Sequence, residues 1–153
     1  MALGKWFRGQ SGVAAAPQRT FAVDKPDAEW RGHLSAEQYR VLREHGTERP
    51  FTSKLNQEKR PGMFVCAGCG QDVFDAGTKF ESGTGWPSFH TPVESGVETS
   101  EDFSFLMRRV EVHCARCGGH LGHVFDDGPQ PTGKRYCING VSLDFRPAGK
   151  AEG

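Results

Sequence analysis

CARCGGHLGHVFDDGP, residues 114–129, combines two cysteines at CxxC spacing with two histidines and two aspartates. A second cysteine pair with the same spacing lies upstream in CAGCG, residues 66–70. Each such turn can present two thiolates, and two turns facing each other form a closed four-sulfur metal site. The glycines that follow each pair suit the tight backbone of these turns. The spacing therefore predicts one structural zinc ion per chain, bound by Cys66, Cys69, Cys114 and Cys117.

Two other kinds of site share parts of this cysteine pattern. A thioredoxin-like redox pair would need a βαβ context, which neither pair has. An iron–sulfur cluster or a rubredoxin-type iron site uses the same four ligands, so spacing alone leaves iron open. A closed four-thiolate zinc site has no free coordination position. Such a site stabilises the fold, and any chemistry must lie elsewhere.

The composition limits the classes of protein to which the chain can belong. Its 153 residues suit one domain with a hydrophobic core. The 19 basic and 19 acidic residues give a formal net charge of zero, which argues against nucleic acid or an anionic membrane as a partner. No apolar run approaches the roughly 18 residues that span a bilayer. No apolar surface stripe stands out, which favours a monomer.

The expected cellular location follows from the N-terminus and the cysteines. The first residues lack the apolar region of a secretory leader. Two CxxC pairs in a chain of this kind are typical of a reducing compartment. We therefore expect the protein to be cytoplasmic.

Three regions are predicted along the chain. Residues 1–25 are rich in Gly, Ala and polar residues without a period, which predicts a flexible extension. Residues 26–147 are expected to be the folded domain, and residues 148–153 a tail. One helix is predicted within residues 29–46, with Ser35 and Gln38 forming a capping box and Gly46 at its end.

After Pro50, glycine and proline interrupt runs that are rich in aromatic and β-branched residues. These runs are predicted strands: GMFVCAG, TKFES, DFSFLMRRVEVHC, RYCI and GVSLDF. Residues 118–129 are predicted to be a polar, sharply turning segment. The predicted fold is mainly β and antiparallel, with a short N-terminal helix and a structural zinc site.

The fifth cysteine, Cys137 in RYCINGVSLDF (residues 135–145), is not needed for a four-sulfur site. On a strand, Arg135, Cys137 and Asn139 share one face. A guanidinium near a thiol favours the thiolate, which is the nucleophilic form. A buried, inert thiol is the commoner role of a single cysteine. The polar face around Cys137 nevertheless argues for a reactive thiol.

Two further stretches carry candidate functional residues. His120 and His123 could be half of a metal site, although no third ligand is evident nearby in the sequence. Histidines beside an isolated cysteine are also typical of an activated thiol or a general acid, and a structural role stays equally open. Trp86, in SGTGWPSF, is either a core tryptophan or an apolar wall for a small group such as a methyl.

These segments together resemble methionine sulfoxide reductases of type B. The resemblance is carried by SGTGWPSF, CARCGGHLGHVFDDGP and RYCINGVSLDF, by both CxxC pairs, and by EWRGHLSAEQYRVLREHGTERPFTS in front of them. It runs from about Glu29 to Phe145. The resemblance implies two antiparallel sheets, the β-tent arrangement, with a peripheral zinc. It also implies a catalytic domain that reduces the R epimer of methionine sulfoxide, peptide-bound or free, and so repairs oxidised proteins.

The resemblance implies roles for individual residues as well. Cys137 matches the nucleophile that attacks the sulfoxide sulfur and becomes a sulfenic acid. Trp86 matches the residue that holds the substrate methyl, and Phe89 is expected beside it. His123, supported by His120, is expected to protonate the sulfoxide oxygen. The remaining polar residues are Asp127, expected to orient a histidine, and Arg135 and Asn139, expected to tune and position the thiolate.

The chain departs from one common form of this family at Thr84. Many members carry a resolving cysteine at that position, in SGCGWPSF, whereas this chain reads SGTGWPSF and has no sixth cysteine. We therefore expect thioredoxin or a small thiol such as glutathione to reduce the sulfenic acid directly. A metal-ligand thiol acting as the resolving group is the alternative route.

Two functions without catalysis are the competing hypotheses. A zinc-ribbon-like binding module would favour a basic surface or stacking aromatics for nucleic acid, and the neutral charge opposes it. A zinc-dependent chaperone or exchange-factor-like partner of the same fold class would not need Cys137 together with His120 and His123. The sequence therefore favours the enzyme.

Overall fold

Nine strands and two short helices make up the part of the chain that the computed structural model describes, residues 20–149. The elements are α1 (Asp27–His33), α2 (Ala36–Glu44), β1 (Gly62–Cys66), β2 (Asp72–Asp75), β3 (Lys79–Phe80), β4 (Ser88–Phe89), β5 (Val97–Asp102), β6 (Arg109–Cys114), β7 (His120–Phe125), β8 (Arg135–Ile138) and β9 (Leu143–Pro147). The strands form two antiparallel sheets, of order β9-β1-β2 and β3-β4-β8-β7-β6-β5. The predicted mainly β fold with two antiparallel sheets is thus confirmed.

An aromatic core joins the two sheets. The Phe74 ring on β2 stacks on the Phe89 ring on β4, with centroids 4.4 Å apart. Phe64 on β1 meets Phe89 edge-on at 5.1 Å. All three side chains are fully buried, and each buried phenylalanine contributes about 1.5–3 kcal/mol by leaving water. This core fixes one sheet against the other.

The helical segment differs from the prediction in its number of helices. The capping box is confirmed, since the Ser35 hydroxyl accepts from the Gln38 amide and the Gln38 side chain accepts from the Ser35 amide. The prediction of a single helix was wrong, because α1 precedes the predicted helix and two extended residues, Leu34 and Ser35, separate α1 from α2. The C-cap of α2 is His45, in the left-handed region at φ 57°, rather than Gly46.

Two strand predictions were also wrong. DFSFLMRRVEVHC is not one strand, because β5 ends at Asp102 and a 3₁₀ turn over Ser104–Leu106 precedes β6. Residues 120–125, predicted to turn, form β7 inside the larger sheet. The glycine in this strand has a packing reason, since a Cβ on Gly122 would lie 2.1 Å from the Cys137 carbonyl oxygen. Glycine here permits close approach of β7 and β8 rather than a turn.

A β-bulge decides which way the two histidines of β7 face. Val112 pairs with Gly122 and His113 with His120, so Leu121 is an extra residue on β7. Without the bulge, strand alternation would place residues 120 and 123 on opposite faces. The extra residue re-aims one of them. The His120 and His123 rings consequently meet edge-on, with centroids 5.5 Å apart.

The predicted flexible extension, residues 1–25, lies mostly outside the described residues, as does the tail beyond residue 149. Within its described part, the Val23 amide donates to the Arg116 carbonyl, and the Phe21 ring lies edge-on to His113. Across residues 20–149, neither helix has the length and apolar character to cross a bilayer.

Candidate active site

The four CxxC cysteines meet in one cluster that is suited to a metal ion. The Sγ atoms of Cys66 and Cys117 are 3.7 Å apart, and those of Cys69 and Cys114 are 3.5 Å apart. A tetrahedron of zinc–sulfur bonds of about 2.3 Å has edges of about 3.8 Å. The observed spacing therefore fits four thiolates around one tetrahedral ion.

Backbone amides and one helix support the cysteine cluster. The amides of Gly68, Arg116 and Gly119 each donate to a cysteine sulfur at 3.3–3.4 Å. Arg43 on α2 donates to the Cys117 carbonyl at 3.1 Å, and its guanidinium lies over the Trp30 ring at 4.3 Å. Gly70 (φ 83°) and Gly118 (φ 76°) follow the two CxxC pairs in the left-handed conformation that closes each turn. These contacts tie the helices to the metal ligands.

Cys137 lies on β8 and lines a cavity of about 310 Å³. It pairs directly with His123 on the neighbouring strand β7. Side chains directly opposite on adjacent strands share a face and have Cβ atoms about 4.5–5.5 Å apart. The cavity is lined by these two residues and by Thr47, Thr84, Trp86, Arg109, Gly122, Phe125, Arg135 and Asn139.

The protonation of Cys137 differs from the expectation based on Arg135 alone. Burial raises the pKa of the Cys137 thiol above its ordinary value of 9.0, and contacts with Thr84 and Arg135 oppose this only in part. The thiol form therefore dominates at neutral pH in the free protein. The sequence suggested a thiolate because it could not reveal how deeply this strand is covered.

His123 has a carboxylate partner that sequence reasoning missed. Its Nε2 lies 2.8 Å from Oδ2 of Asp102, at the end of β5. Burial lowers the pKa of His123 below 6.5, while the hydrogen bond to Asp102 acts in the opposite direction. The backbone amide of Ser104 and His123 hold the pKa of Asp102 well below its usual range. His123 is thus neutral at pH 7 but poised beside an anion that would stabilise its protonated form.

His120 is held in the same way by a second carboxylate. Its Nδ1 lies 2.9 Å from Oε2 of Glu111, and both side chains are almost completely buried. Glu111 pairs with His123 in the register of β6 and β7. His120 therefore lies behind His123 and outside the cavity wall.

Asp127 does not contact a histidine, contrary to the prediction. Its two oxygens accept from Arg135 Nε at 2.9 Å and from Arg135 Nη2 at 3.1 Å. The guanidinium lies over the Phe125 ring at 4.5 Å. The physical reason is the pairing of Phe125 with Arg135 across β7 and β8. Asp127, just beyond the end of β7, is thereby brought to Arg135.

Trp86 and Asn139 are positioned by one buried residue, Glu48. The Trp86 indole N–H donates to the Glu48 carbonyl at 3.0 Å, and the Glu48 amide donates to Asn139 Oδ1 at 2.9 Å. The Glu48 carboxylate accepts from the amides of Gly140 and Val141. Asn139 also donates to the Leu121 carbonyl, so its side chain anchors the loop after β8.

Phe89, like His120 and Asp127, is a predicted site residue that does not line the cavity around Cys137. It pairs with Tyr136, whereas Ser88 pairs with Cys137. Since neighbouring residues on a strand face opposite ways, Phe89 faces the aromatic core when Ser88 faces the cavity side. The structure instead adds Thr84, whose Oγ1 is 3.9 Å from Cys137 Sγ.

The residues that sequence reasoning missed are Glu48, Asp102 and Glu111. Glu48 and Asp102 lie 38 and 21 residues from Trp86 and His123, and Glu111 reaches His120 across two neighbouring strands, so no local motif marks these contacts. Glu111 does alternate with Val110 and Val112 in a predicted strand, and a carboxylate in such a run is a weak signal of a buried partner.

Comparisons with known proteins agree with this arrangement. A family model described as the SelR domain matches residues 34–147. A protein of Methanosarcina barkeri named peptide methionine sulfoxide reductase MsrB is 59% identical over 126 residues, covering 82% of this chain and 89% of the relative. Proteins of the same name from Pseudomonas putida and Leptospira interrogans are 57% and 53% identical, covering 82% of this chain and 95% and 97% of the relatives.

The matched residues include every strand of both sheets and all residues that line the cavity around Cys137. The relatives are also matched over nearly their full length. By its sequence and its site, the chain belongs to the SelR domain family, the methionine sulfoxide reductases of type B.

Proposed function

We propose that the protein reduces the R epimer of methionine sulfoxide in peptides and proteins, with Cys137 as the nucleophile. One observation carries the proposal. The register of β7 and β8 sets Cys137 opposite His123 in a cavity that Trp86 also lines. A nucleophile, a proton carrier and an apolar wall are the three groups that a methyl sulfoxide requires.

The chemical step balances without an external proton. Cys137 Sγ attacks the sulfoxide sulfur, and the thiol proton passes by way of His123 to the sulfoxide oxygen. The oxygen then leaves sulfur as part of a sulfenic acid on Cys137, and the substrate is released as the thioether. The cysteine sulfur is oxidised and the substrate sulfur is reduced by two electrons. This proton transfer requires Cys137 as a neutral thiol and His123 as a neutral imidazole.

The other cavity residues have supporting roles in the proposal. Arg135, fixed by Asp127, stabilises the thiolate as it forms. Trp86, held by the Glu48 carbonyl, gives the substrate methyl its apolar wall. Asn139 and His120 position the loop after β8 and the His123 ring. The four-cysteine cluster would bind zinc, which would hold the two CxxC turns together.

A single-turnover experiment tests the proposed function. The reduced protein is mixed, without external reductant, with peptides that carry either the R or the S epimer of methionine sulfoxide. We expect about one equivalent of methionine, from the R epimer alone, and the loss of one titratable thiol. Turnover of the S epimer, or methionine formed without loss of a thiol, would contradict the proposal.

Asp102→Asn should lower the rate about 10- to 100-fold, because the protonated form of His123 loses its anion. The single-turnover rate of the parent protein should be level between the pKa of His123, lowered below 6.5, and that of Cys137, raised above 9.0. Asp102 raises the pKa of His123, so removing its charge lowers that pKa further. The acid limb of the pH profile should consequently move to lower pH.

The matched control for this substitution is Glu101→Gln. Glu101 precedes Asp102 on β5 but pairs with Arg108 instead of a histidine. Its pH profile should match that of the parent. An acid limb that stays in place in Asp102→Asn would show that Asp102 does not act through His123.

Thr84→Cys should install an internal resolving cysteine. Thr84 Oγ1 lies 3.9 Å from Cys137 Sγ, and a sulfenic acid condenses readily with a nearby thiol. After one turnover we expect two thiols lost instead of one, and mass spectrometry should find a disulfide between residues 84 and 137. Thr84→Ser is the control, and it should lose one thiol. A single thiol lost in Thr84→Cys would contradict this geometry.

Recycling of the parent protein is proposed to be direct, because Thr84 cannot form a disulfide. Thioredoxin or a small thiol such as glutathione would reduce the sulfenic acid on Cys137. Without external reductant, direct recycling predicts one thiol lost per turnover, whereas an internal disulfide would consume two. The loss of two thiols in the parent would point to a cysteine of the metal cluster as the resolving group.

A further inference from the structure

A second group of metal-ligating side chains lies beside the candidate active site. It consists of His45 at the end of α2, Glu111 on β6 and His120 on β7. Glu111 Oε2 is 2.9 Å from His120 Nδ1 and 3.9 Å from His45 Nε2. The three ligand atoms all lie within 4.8 Å of one another. The four-cysteine cluster shares none of these residues.

Glu111 is a fixed anionic ligand. Its other oxygen, Oε1, accepts from Ser100 Oγ at 2.8 Å and lies 2.9 Å from His113 Nδ1. Burial alone would raise the pKa of Glu111, but hydrogen bonds from His113, His120 and Ser100 outweigh it and hold that pKa well below its usual range. The carboxylate is therefore ionised, and its burial and its hydrogen bonds to Ser100, His113 and His120 hold it in place.

The two histidines differ in exposure in a way that suits cation binding from solvent. His120 is buried, whereas the His45 side chain is 66% exposed and stacks on the His120 ring at 4.9 Å. Because most of the His45 side chain is exposed, its ring can be reoriented toward a cation without moving core residues. Nitrogen and oxygen ligands about 2.1 Å from a tetrahedral ion are about 3.4 Å apart, and the two observed distances bracket that value.

Space for the remaining ligands is present. A cavity of about 560 Å³ opens on this group and is also lined by Ser100, Glu101 and Asp102. It can hold the water molecules that complete the coordination of a cation. Glu101 and Asp102 are already paired, with Arg108 and with Arg109 and His123, so the anionic ligand that faces His45 and His120 is Glu111.

We propose that His45, Glu111 and His120 form a binding site for a late first-row divalent cation, such as Ni²⁺, Zn²⁺ or Co²⁺. Two imidazoles and one carboxylate suit these ions rather than Mg²⁺ or Ca²⁺. The bound ion replaces the hydrogen bond between His120 and Glu111. It also adds positive charge behind His123, whose ring lies 5.5 Å from that of His120. This second effect rests on the proposed function and makes sulfoxide reduction sensitive to the metal.

Calorimetric titration with Ni²⁺ tests the site without any turnover. The full chain is first loaded with zinc at the four-cysteine cluster and carries Cys137→Ser, which removes the remaining thiol as a ligand. We expect one further Ni²⁺ per chain. Adding His45→Asn should weaken it at least about 10-fold, because a ligand is lost. Asparagine tolerates the left-handed backbone of residue 45, so the helix end is preserved.

His33→Asn is the matched control, since His33 is an exposed histidine in the last turn of α1. It should leave Ni²⁺ binding unchanged. Equal affinity in the His45→Asn and His33→Asn proteins, or no further Ni²⁺ bound by the parent, would overturn the proposal.

The effect on catalysis is measured by single-turnover rates of the zinc-loaded chain with Cys137 intact. No thiol reductant is added, because thiols chelate Ni²⁺. The rate should fall with a midpoint at the calorimetric Kd, and His45→Asn should need about 10-fold more Ni²⁺. Equal inhibition of both proteins would overturn the effect on catalysis. Failure to reduce sulfoxide before metal is added would count against the proposed function and leave the binding result intact.

Discussion

Cys137→Ser should abolish single-turnover reduction of a methionine sulfoxide peptide, with a rate loss of at least about 1,000-fold. A serine hydroxyl at this position is a far weaker nucleophile than a thiol, and it cannot become a sulfenic acid. The loss should be one of chemistry and not of folding, since Cys137 belongs to no metal cluster within residues 20–149. Quantifying methionine against time, with the thermal midpoint measured in parallel, checks both halves of this expectation.

A serine variant that kept the parent rate would remove Cys137 from the mechanism. The competing hypothesis of a binding module would then become the better one. A variant that lost both activity and its thermal midpoint would leave the two explanations unseparated, so Tm should be confirmed within about 3 °C of the parent. A shift of that size corresponds to roughly 1 kcal/mol for a domain of this length.

Cys69→Ser should cause a large loss of stability, whereas Cys137→Ser should leave stability unchanged. Structural zinc supplies about 10–16 kcal/mol of apparent binding free energy in small domains, and whole domains are stable by only about 5–15 kcal/mol. Cys69 is half-buried, so serine fits the space, but the metal loses one of four ligands. We expect Tm to fall by at least about 15 °C, together with the loss of bound metal measured by elemental analysis.

The two cysteine variants serve as controls for each other. Cys137→Ser removes a thiol and keeps the metal, whereas Cys69→Ser removes a thiol that is proposed to bind it. A Cys69→Ser protein with full metal content and an unchanged Tm would contradict a structural role for the cluster. Zinc identity is tested in the same measurement, because an iron site would appear in the elemental analysis.

Much of the fold was predictable because its signals are local. The capping box at Ser35, the two CxxC turns and the runs of β-branched and aromatic residues each depend on residues close in sequence. The errors fell where local and tertiary preferences differ. The glycines of residues 118–122 favour a turn by themselves, yet Gly122 serves the close approach of β7 to the Cys137 backbone.

In the candidate site, too, local patterns predicted some placements and missed those that depend on tertiary contacts. The Arg135-x-Cys137-x-Asn139 face follows from strand alternation, and the structure places all three residues around one cavity. The carboxylates that hold the histidines could not be assigned, because Asp102 and Glu111 reach them only across sheet neighbours. Asp127 was given the wrong partner for the same reason, and Arg135 is the residue that it contacts.

The sequence by itself determined the chemistry that is available: four paired cysteines, one more cysteine on a polar strand face, two histidines, and a tryptophan beside a proline. Only the tertiary structure decided how these groups are combined. A one-residue bulge at Leu121 brings His120 beside His123. Strand pairing sets His123 opposite Cys137, and burial keeps that thiol protonated at rest. Register and burial arise from contacts between residues distant in sequence, so no local pattern could specify them.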